Sequence, residues 1–325
     1  MHRRRKLLLA SLGTGTLAMP FASLAQQPGT YPAKPVRIVV ASTAGGGDDI
    51  VARLLASKLG DLLGQQFIVD NRPGAGGNIG QTSVAKSPPD GYTLLLAGIS
   101  MAGARFVNAN LGYDLFRDFT PVSWIEMSPF VLVANPALPA RDVKQLIALA
   151  RARPGKMTFA TIGAGQIPYW GVMLFNGMAG IEALEVPYKG PSEAIVDVIA
   201  GRIDYTVTPI PVALTNKDKL RVLAVTSTVR SEALPETPTM AEAGLPGYDM
   251  AAARGIMGPA GMPREIVGVL NRAMVQILAS ADMRERLAKA GSIAISSTPE
   301  EMTKRYEDRL AVFGKIAKEA GLKPQ

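Results

Sequence analysis

The side chains that could carry out chemistry are few. The only histidine is His2, and there is no cysteine. Beyond the first residues the chain therefore has neither imidazole nor thiol. That excludes serine–histidine–aspartate triads, cysteine nucleophiles, nearly all zinc sites and disulfides together. What remains is a carboxylate pair, Asp48-Asp49, the segment Gly98-Ile99-Ser100-Met101-Ala102-Gly103, and the aromatic residues Trp124, Tyr169 and Trp170. Two carboxylates can share acid–base work, but this pair stands where a helix begins and reads as an N-cap with a solvated neighbour. The Ser100 segment is one residue too long for a nucleophile elbow and has no histidine to activate its hydroxyl. Aromatic residues are core material or ligand platforms. Tyr169-Trp170, just after a loop, is the pair to watch as a platform.

The glycine-rich loops offer a different chemistry, the capture of an anion by backbone N–H groups. Ala44-Gly45-Gly46-Gly47-Asp48-Asp49 joins a strand end to a helix start. Glycine lets the backbone approach a ligand there, and the free N–H groups of a helix N-terminus attract negative charge. The alternative is a plain tight turn. Asn71 to Gly80 has Ile79 where a dinucleotide fingerprint needs its third glycine, and Gly163-x-Gly165 has Pro168 at that place. None of the loops ends in Gly-Lys-Ser/Thr, so no nucleotide and no other cofactor is expected.

The elements that must position these loops follow from periodicity. Val36 to Val40 is a short β-branched run, read as a buried strand, and the apolar positions from Ile50 to Leu63 recur at helical spacing. Phe67 to Val69 is a second strand, Ile79 to Lys86 a helix and Tyr92 to Ala97 a third strand. Such alternation predicts a parallel sheet with helices on its faces. The pattern restarts at Phe130–Ala134, with a helix over Asp142–Arg153, a strand at Met157–Thr161 and a helix near Tyr169–Met178. Leu184–Val186, Ser192–Ala200, Ile203–Val207 and Arg221–Thr226 complete the second set. Pro235 to Tyr248 reads as an ordered linker. Helices at Pro263–Ala279, Asp282–Ala290 and Pro299–Ala320 close the chain, the last opening on a Thr298/Glu301 capping box. The 325 residues exceed what one core usually holds. The plan is two similar α/β lobes, with the strands' carboxyl ends facing one cleft.

The first 25 residues read as an export signal. Arg3, Arg4, Arg5 and Lys6 form a basic head, an interrupted apolar stretch follows to Leu24, and Ser23-Leu24-Ala25 is a small-x-small cleavage site near Ala25. Arg4-Arg5 also fits a loose twin-arginine pattern, so two export routes stay open. No later run of about 18 apolar residues occurs. Without the four basic residues of the leader, 31 basic face 27 acidic residues. A balance of +4 is too mild for a nucleic-acid footprint.

Taken together, the motifs resemble one family along nearly the whole chain, the Bug-type solute receptors of tripartite tricarboxylate transporters. The segments that carry the resemblance are Tyr31 to Val40, Gly45-Gly46-Gly47-Asp48-Asp49 with Ala52-Arg53, Asn71 to Gly80 and Pro89 to Leu95. Val186-Pro187-Tyr188-Lys189-Gly190, Gly201-Arg202-Ile203-Asp204, Leu234 to Gly244 and Gly258 to Pro263 extend it. The resemblance implies a two-lobe periplasmic binding protein of the Venus-flytrap type, each lobe a mainly parallel sheet flanked by helices. Lobe 1 would be 31–130 plus 251–325, and lobe 2 131–250, with hinges near Phe130–Ala134 and Arg254–Gly258. It implies a monomer that binds a small organic carboxylate in the periplasm for inner-membrane permease subunits, and no catalysis.

Carried onto this chain, the carboxylate is held through backbone groups and waters by Ser42, Thr43, Ala44, Gly45, Gly46 and Asp49 of the first lobe, with Gly98 and Ser100 at a strand end. From the second lobe come Thr161, Gly163, Gly165, Gln166, Tyr169 and Thr208. None of these loops contains lysine or arginine, which fits capture without a cationic side chain. The chain departs from the family pattern near Gln166, Tyr169 and Met173 and between Thr208 and Leu220. Those departures enlarge the pocket and make it more apolar, so an aromatic or branched carboxylate is expected rather than citrate. A sensory receptor on the same fold, presenting its ligand to a membrane regulator, and a lyase or isomerase using the cleft carboxylates are the alternatives.

Overall fold

Why strands and helices alternate is clearest at the start of the chain. In the computed structural model, which describes residues 31–324, Val36–Val40 forms β1. Its Val36, Ile38 and Val40 face one core and Val39 the other, as a strand with helices on both sides requires. The leader and its cleavage site near Ala25 lie outside the described residues. Gly47–Leu63 forms α1, Phe67–Asn71 β2, Asn78–Ala85 α2 and Thr93–Gly98 β3. Phe119–Ser128 is a long strand, β4, which the sequence reading left out. After Pro129 comes β5 (Phe130–Ala134), then α3 (Val143–Arg151), β6 (Thr158–Thr161), α4 (Ile167–Ala179) and β7 (Leu184–Pro187). These are followed by α5 (Pro191–Ile199), β8 (Tyr205–Pro209), α6 (Ile210–Thr215) and β9 (Arg221–Val225). The last section comprises β10 (Ala252–Pro259), α7 (Arg264–Ala279), α8 (Ala281–Lys289), β11 (Ile293–Ala294) and α9 (Pro299–Glu319).

The strands build two sheets, ordered β11-β4-β10-β3-β1-β2 and β7-β6-β8-β5-β9. The expected parallel pairing holds for β2-β1-β3 and for β7-β6-β8. The strands adjoining the passages between sheets run the other way. β10 pairs antiparallel with β3 and β4, and β5 with β8 and β9, so each sheet is mixed. The chain leaves the first sheet at Pro129 and returns to it between Val225 and Ala252. The segments expected near the hinges, Phe130–Ala134 and Arg254–Gly258, begin the strands that follow these two passages. Both are ladder-paired on two sides within one sheet.

Three apolar layers hold these sheets. One face of the first sheet packs on α1, α7 and α8 through Val36, Ile38, Leu55, Leu59, Leu94, Leu270 and Met274. One face of the second packs Val131, Val133, Ile195 and Val198. The third layer is shared. Leu95 and Trp124 of the first sheet, Tyr306 and Phe313 of α9, Trp170 and Phe175 of α4, and Leu132 and Tyr205 of the second sheet form one continuous cluster. At its centre Phe313 stacks on Trp170 with ring centroids 4.7 Å apart. Each such side chain contributes about 1.5–3 kcal/mol by leaving water. Helix α9 thus joins the two sheets at the floor of the space between them. Its capping box is formed: the Thr298 side chain accepts from the Glu301 N–H at 3.1 Å, and the Glu301 carboxylate from the Thr298 N–H at 2.8 Å.

Candidate functional site

The first wall of the cleft is the turn between β1 and α1. Helix α1 starts at Gly47 with Gly46 as its N-cap and no side-chain cap, so neither Asp48 nor Asp49 plays the capping part expected of them. Asp49 turns back instead. Its Oδ2 accepts from Arg53 Nε and from the Gly45 N–H, both at 2.9 Å. The Arg53 guanidinium first, then the Gly45 N–H, hold the Asp49 carboxyl down at about 2. Gly45 sits at φ +81°, a conformation that costs glycine nothing. The far end of the same network reaches β2. Arg53 donates to Asn71 Oδ1, and Asn71 Nδ2 donates to the Ser42 carbonyl, both at 3.2 Å. Ser42 and Thr43 are thereby presented to the cleft. The buried Ser42 Oγ has no hydrogen-bond partner among the described residues, an unmet demand that a ligand or water would meet.

The cleft itself has a volume of about 490 Å³. Beside Ser42 and Thr43 its lining includes Asp48, Gly98 to Ser100 at the end of β3, the Pro73–Gly77 turn with Gln81, and Ala252 to Arg254 of β10. Opposite stand Phe130, Gln166, Ile167 and Pro168, from the second sheet and the start of α4. A second chamber of about 470 Å³ shares Gly76, Gln81, Ser100 and Gln166 with the first. It is lined on the second-sheet side by Ile162 to Gly165, and by Val107 and Leu111.

The residues expected at the site fall into three groups. Ser42, Thr43, Gly98, Ser100 and Gln166 line the cleft, and Gly163 and Gly165 line the adjoining chamber. Ala44, Gly45 and Gly46 belong to the turn behind the cleft wall, and Asp49 braces that turn. Thr161, Tyr169 and Thr208 are buried away from the lining. The Thr161 hydroxyl donates to Glu185 Oε1 at 2.6 Å. Tyr169 packs edge-on against Trp170 inside the shared core, where burial, helped by Glu185, pushes its phenol to about 12. Of the two roles open to it, core material or ligand platform, it takes the core one here: its ring is packed inward and does not line the cleft. Trp124 also lies in the core, tilted against Tyr306 with ring centroids 5.0 Å apart. Thr208 Oγ1 is buried without a partner among the described residues.

The residue that sequence reasoning missed is Arg254. The loops lack lysine and arginine as expected, but a strand brings this cation to the cleft lining. Arg254 Nε donates to Asp48 Oδ1 and Nη1 to Glu126 Oε1, each at 2.5 Å. Glu126, on β4, is wholly buried. Its other oxygen accepts from the Ser128 hydroxyl, which is 2.8 Å from Ser292 Oγ. Burial works against the Arg254 charge, but Glu126 and Asp48 outweigh it and raise the guanidinium above its ordinary value. It is therefore a permanent cation at the cleft wall. An arginine inside the small-residue run Ala251-Ala252-Ala253-Arg254-Gly255 is the one signal that could have marked it. Chemically, the cleft offers backbone N–H groups, hydroxyls, amides and one guanidinium, the donor set for an organic anion.

Comparison with known proteins finds relatives along nearly the whole chain. Residues 51–322 match the sequence profile described as the tripartite tricarboxylate transporter family receptor. BugT of Bordetella pertussis is 35% identical over 324 residues, covering 97% of this chain and 98% of BugT. The R. palustris protein Rpa4515, solved with adipate, is 36% identical with a TM-score of 0.74, covering 91% of this chain and all of that one. MatC of Rhodopseudomonas palustris, solved with bound malate, is 28% identical with a TM-score of 0.70, over 88% of this chain and all of MatC.

Proposed function

The chain belongs to the tripartite tricarboxylate transporter receptor family, and from that premise we propose that it captures a small organic carboxylate in the periplasm and delivers it, as a monomer, to the permease subunits of a tripartite transporter. The family is one of solute-binding receptors, so the task is binding and not catalysis. The observation that carries the reading is the cleft between the two sheets, where Ser42, with its unpartnered buried hydroxyl, faces Gln166 and the α4 start across a space bordered by Arg254. A first carboxylate sits against Ser42, Thr43 and Ser100, bridged by water to the Gly163–Gln166 turn. The lobes close on it by bending where the chain passes between the two sheets, at Pro129 and again before Ala252. Ile99, Phe130, Ile167 and Pro168 supply an apolar lining for a carbon chain or ring, which suits an aliphatic or aromatic acid better than citrate. That two relatives are solved with adipate and with malate, both small carboxylates, supports the class.

A thermal-shift panel of mono-, di- and tricarboxylates, amino acids and aromatic acids tests this. Ligand at 100 times its dissociation constant adds about 2.7 kcal/mol. For roughly 300 residues that raises the midpoint by about 4 °C. One chemical class of acid should produce that shift, with no product on prolonged incubation. A protein unfolded and refolded to strip any retained ligand, yet unmoved by every acid, would end the receptor reading.

A further inference from the structure

Three features of Arg254 go together. Its Nη1 is committed to Glu126, which is buried, anchored by Ser128 and unable to move away. Its Nε is held by Asp48, whose side chain is 41% exposed in the first turn of α1. Its Nη2 makes no hydrogen bond among the described residues. Nε and Nη2 form one edge of the guanidinium, the fork that accepts a carboxylate through two parallel bonds. Asp48 thus uses half of a fork built for a whole carboxylate. Gly47 stands beside that fork: a Cβ there would be in ordinary contact with Nη2, at 3.5 Å.

We propose that the Nε/Nη2 edge of Arg254 is a second anion subsite, occupied by Asp48 in the empty cleft and taken over by the distal carboxylate of a dicarboxylate ligand. The proposal rests on the carboxylate-receptor reading above and extends it from one carboxylate to two. Charge decides why exchange is needed. One guanidinium already faces two carboxylates, so a third cannot simply be added. Glu126 has nowhere to go, whereas Asp48 can turn out to water and still be favoured by the α1 N-terminus. The ladder pairs Arg254 with Gly98, so the subsite lies one strand away from the β3 end, where Ser100 serves the first carboxylate. A monocarboxylate uses the first position and leaves the Asp48–Arg254 pair intact. A dicarboxylate uses both.

Titration calorimetry of the mature protein with adipate against hexanoate, and succinate against butyrate, tests the exchange. The wild type should prefer the dicarboxylate of at least one pair. In Arg254→Lys, which keeps a cation for Glu126 but loses the fork, that preference should fall by about tenfold. Asp48→Asn, a change at a half-exposed side chain that leaves the fold intact, should strengthen dicarboxylate binding by about threefold, because the internal competitor is gone. Weaker dicarboxylate binding in Asp48→Asn, or a preference that survives in Arg254→Lys, overturns the exchange. Equal affinity of the wild type for both members of each pair sinks this proposal alone. Failure to bind any carboxylate sinks the receptor reading beneath it.

Discussion

Replacing Arg254 by methionine tests the charge cluster independently of any ligand. Glu126 has a side-chain exposure of 0%, and among cations its carboxylate pairs with Arg254. Stranding such a charge typically costs 3–5 kcal/mol. Arg254 keeps 22% of its own side-chain exposure, which admits some water, so the lower end applies and about 3 kcal/mol is expected. For roughly 300 residues the unfolding entropy is about 0.6 kcal/mol per degree, and the melting midpoint should fall by about 5 °C. The double variant Arg254→Met/Glu126→Gln removes the stranded charge and should recover more than half of that loss. Differential scanning calorimetry without ligand measures both. If single and double variants melt together, Glu126 is not held by Arg254 in the way the structure indicates, and the reasoning fails.

Other expectations concern the frame of the cleft. Asp49 ordinarily titrates near 3.8 but is held at about 2 by Arg53 and the Gly45 N–H. Its contribution to stability is therefore present above about pH 4 and lost as the pH falls through about 2. Melting curves of Asp49→Asn should fall less steeply than wild type across that window, and equal slopes would contradict it. At Gly80 an added Cβ would lie 2.8 Å from the Arg72 carbonyl oxygen and 3.0 Å from Ala41 Cα, both rigid backbone. Gly80→Ala should cost about 1–3 kcal/mol by denaturant titration and weaken ligand binding, since Ala41 leads into Ser42; a wild-type midpoint would refute this. Phe313→Ala should cost about 3–5 kcal/mol, because the ring is fully buried on Trp170 at the junction of the two sheets. A midpoint within about 2 °C of wild type would mean that α9 does not tie them.

How much was legible in the sequence depended on how local the cause was. β1, α1, β2, β3 and the C-terminal helices stand close to where periodicity put them, because each is decided by its own apolar spacing. The Thr298/Glu301 box lies within four residues and was readable as such. β4 was not, because Pro121, Ser123 and Glu126 interrupt its apolar run, and Glu126 looks like a surface charge until Arg254 stands beside it. The two are 128 positions apart, and Asp48 is 206 from Arg254. Pairing at that range leaves no trace in local composition. The site divides the same way. Ser42, Thr43, Ser100 and Gln166, which line the cleft, were expected there from the family resemblance, whose motifs are local in the chain. Arg254 carries only the faint mark of an arginine among small residues, and its place at the cleft follows from a strand inserted by the returning chain. Which of its two roles Tyr169 takes was not legible, because its nearness to a loop said nothing about which way the first turn of α4 would point it.

The account stands most directly on where the ligand lies. A crystal structure of the mature protein grown with the acid that shifts its melting point most would show this. The prediction is one carboxylate against Ser42, Thr43 and Ser100, facing Gln166 across the closed cleft. A ligand elsewhere on the molecule, or in the cleft but turned away from both walls, would contradict it.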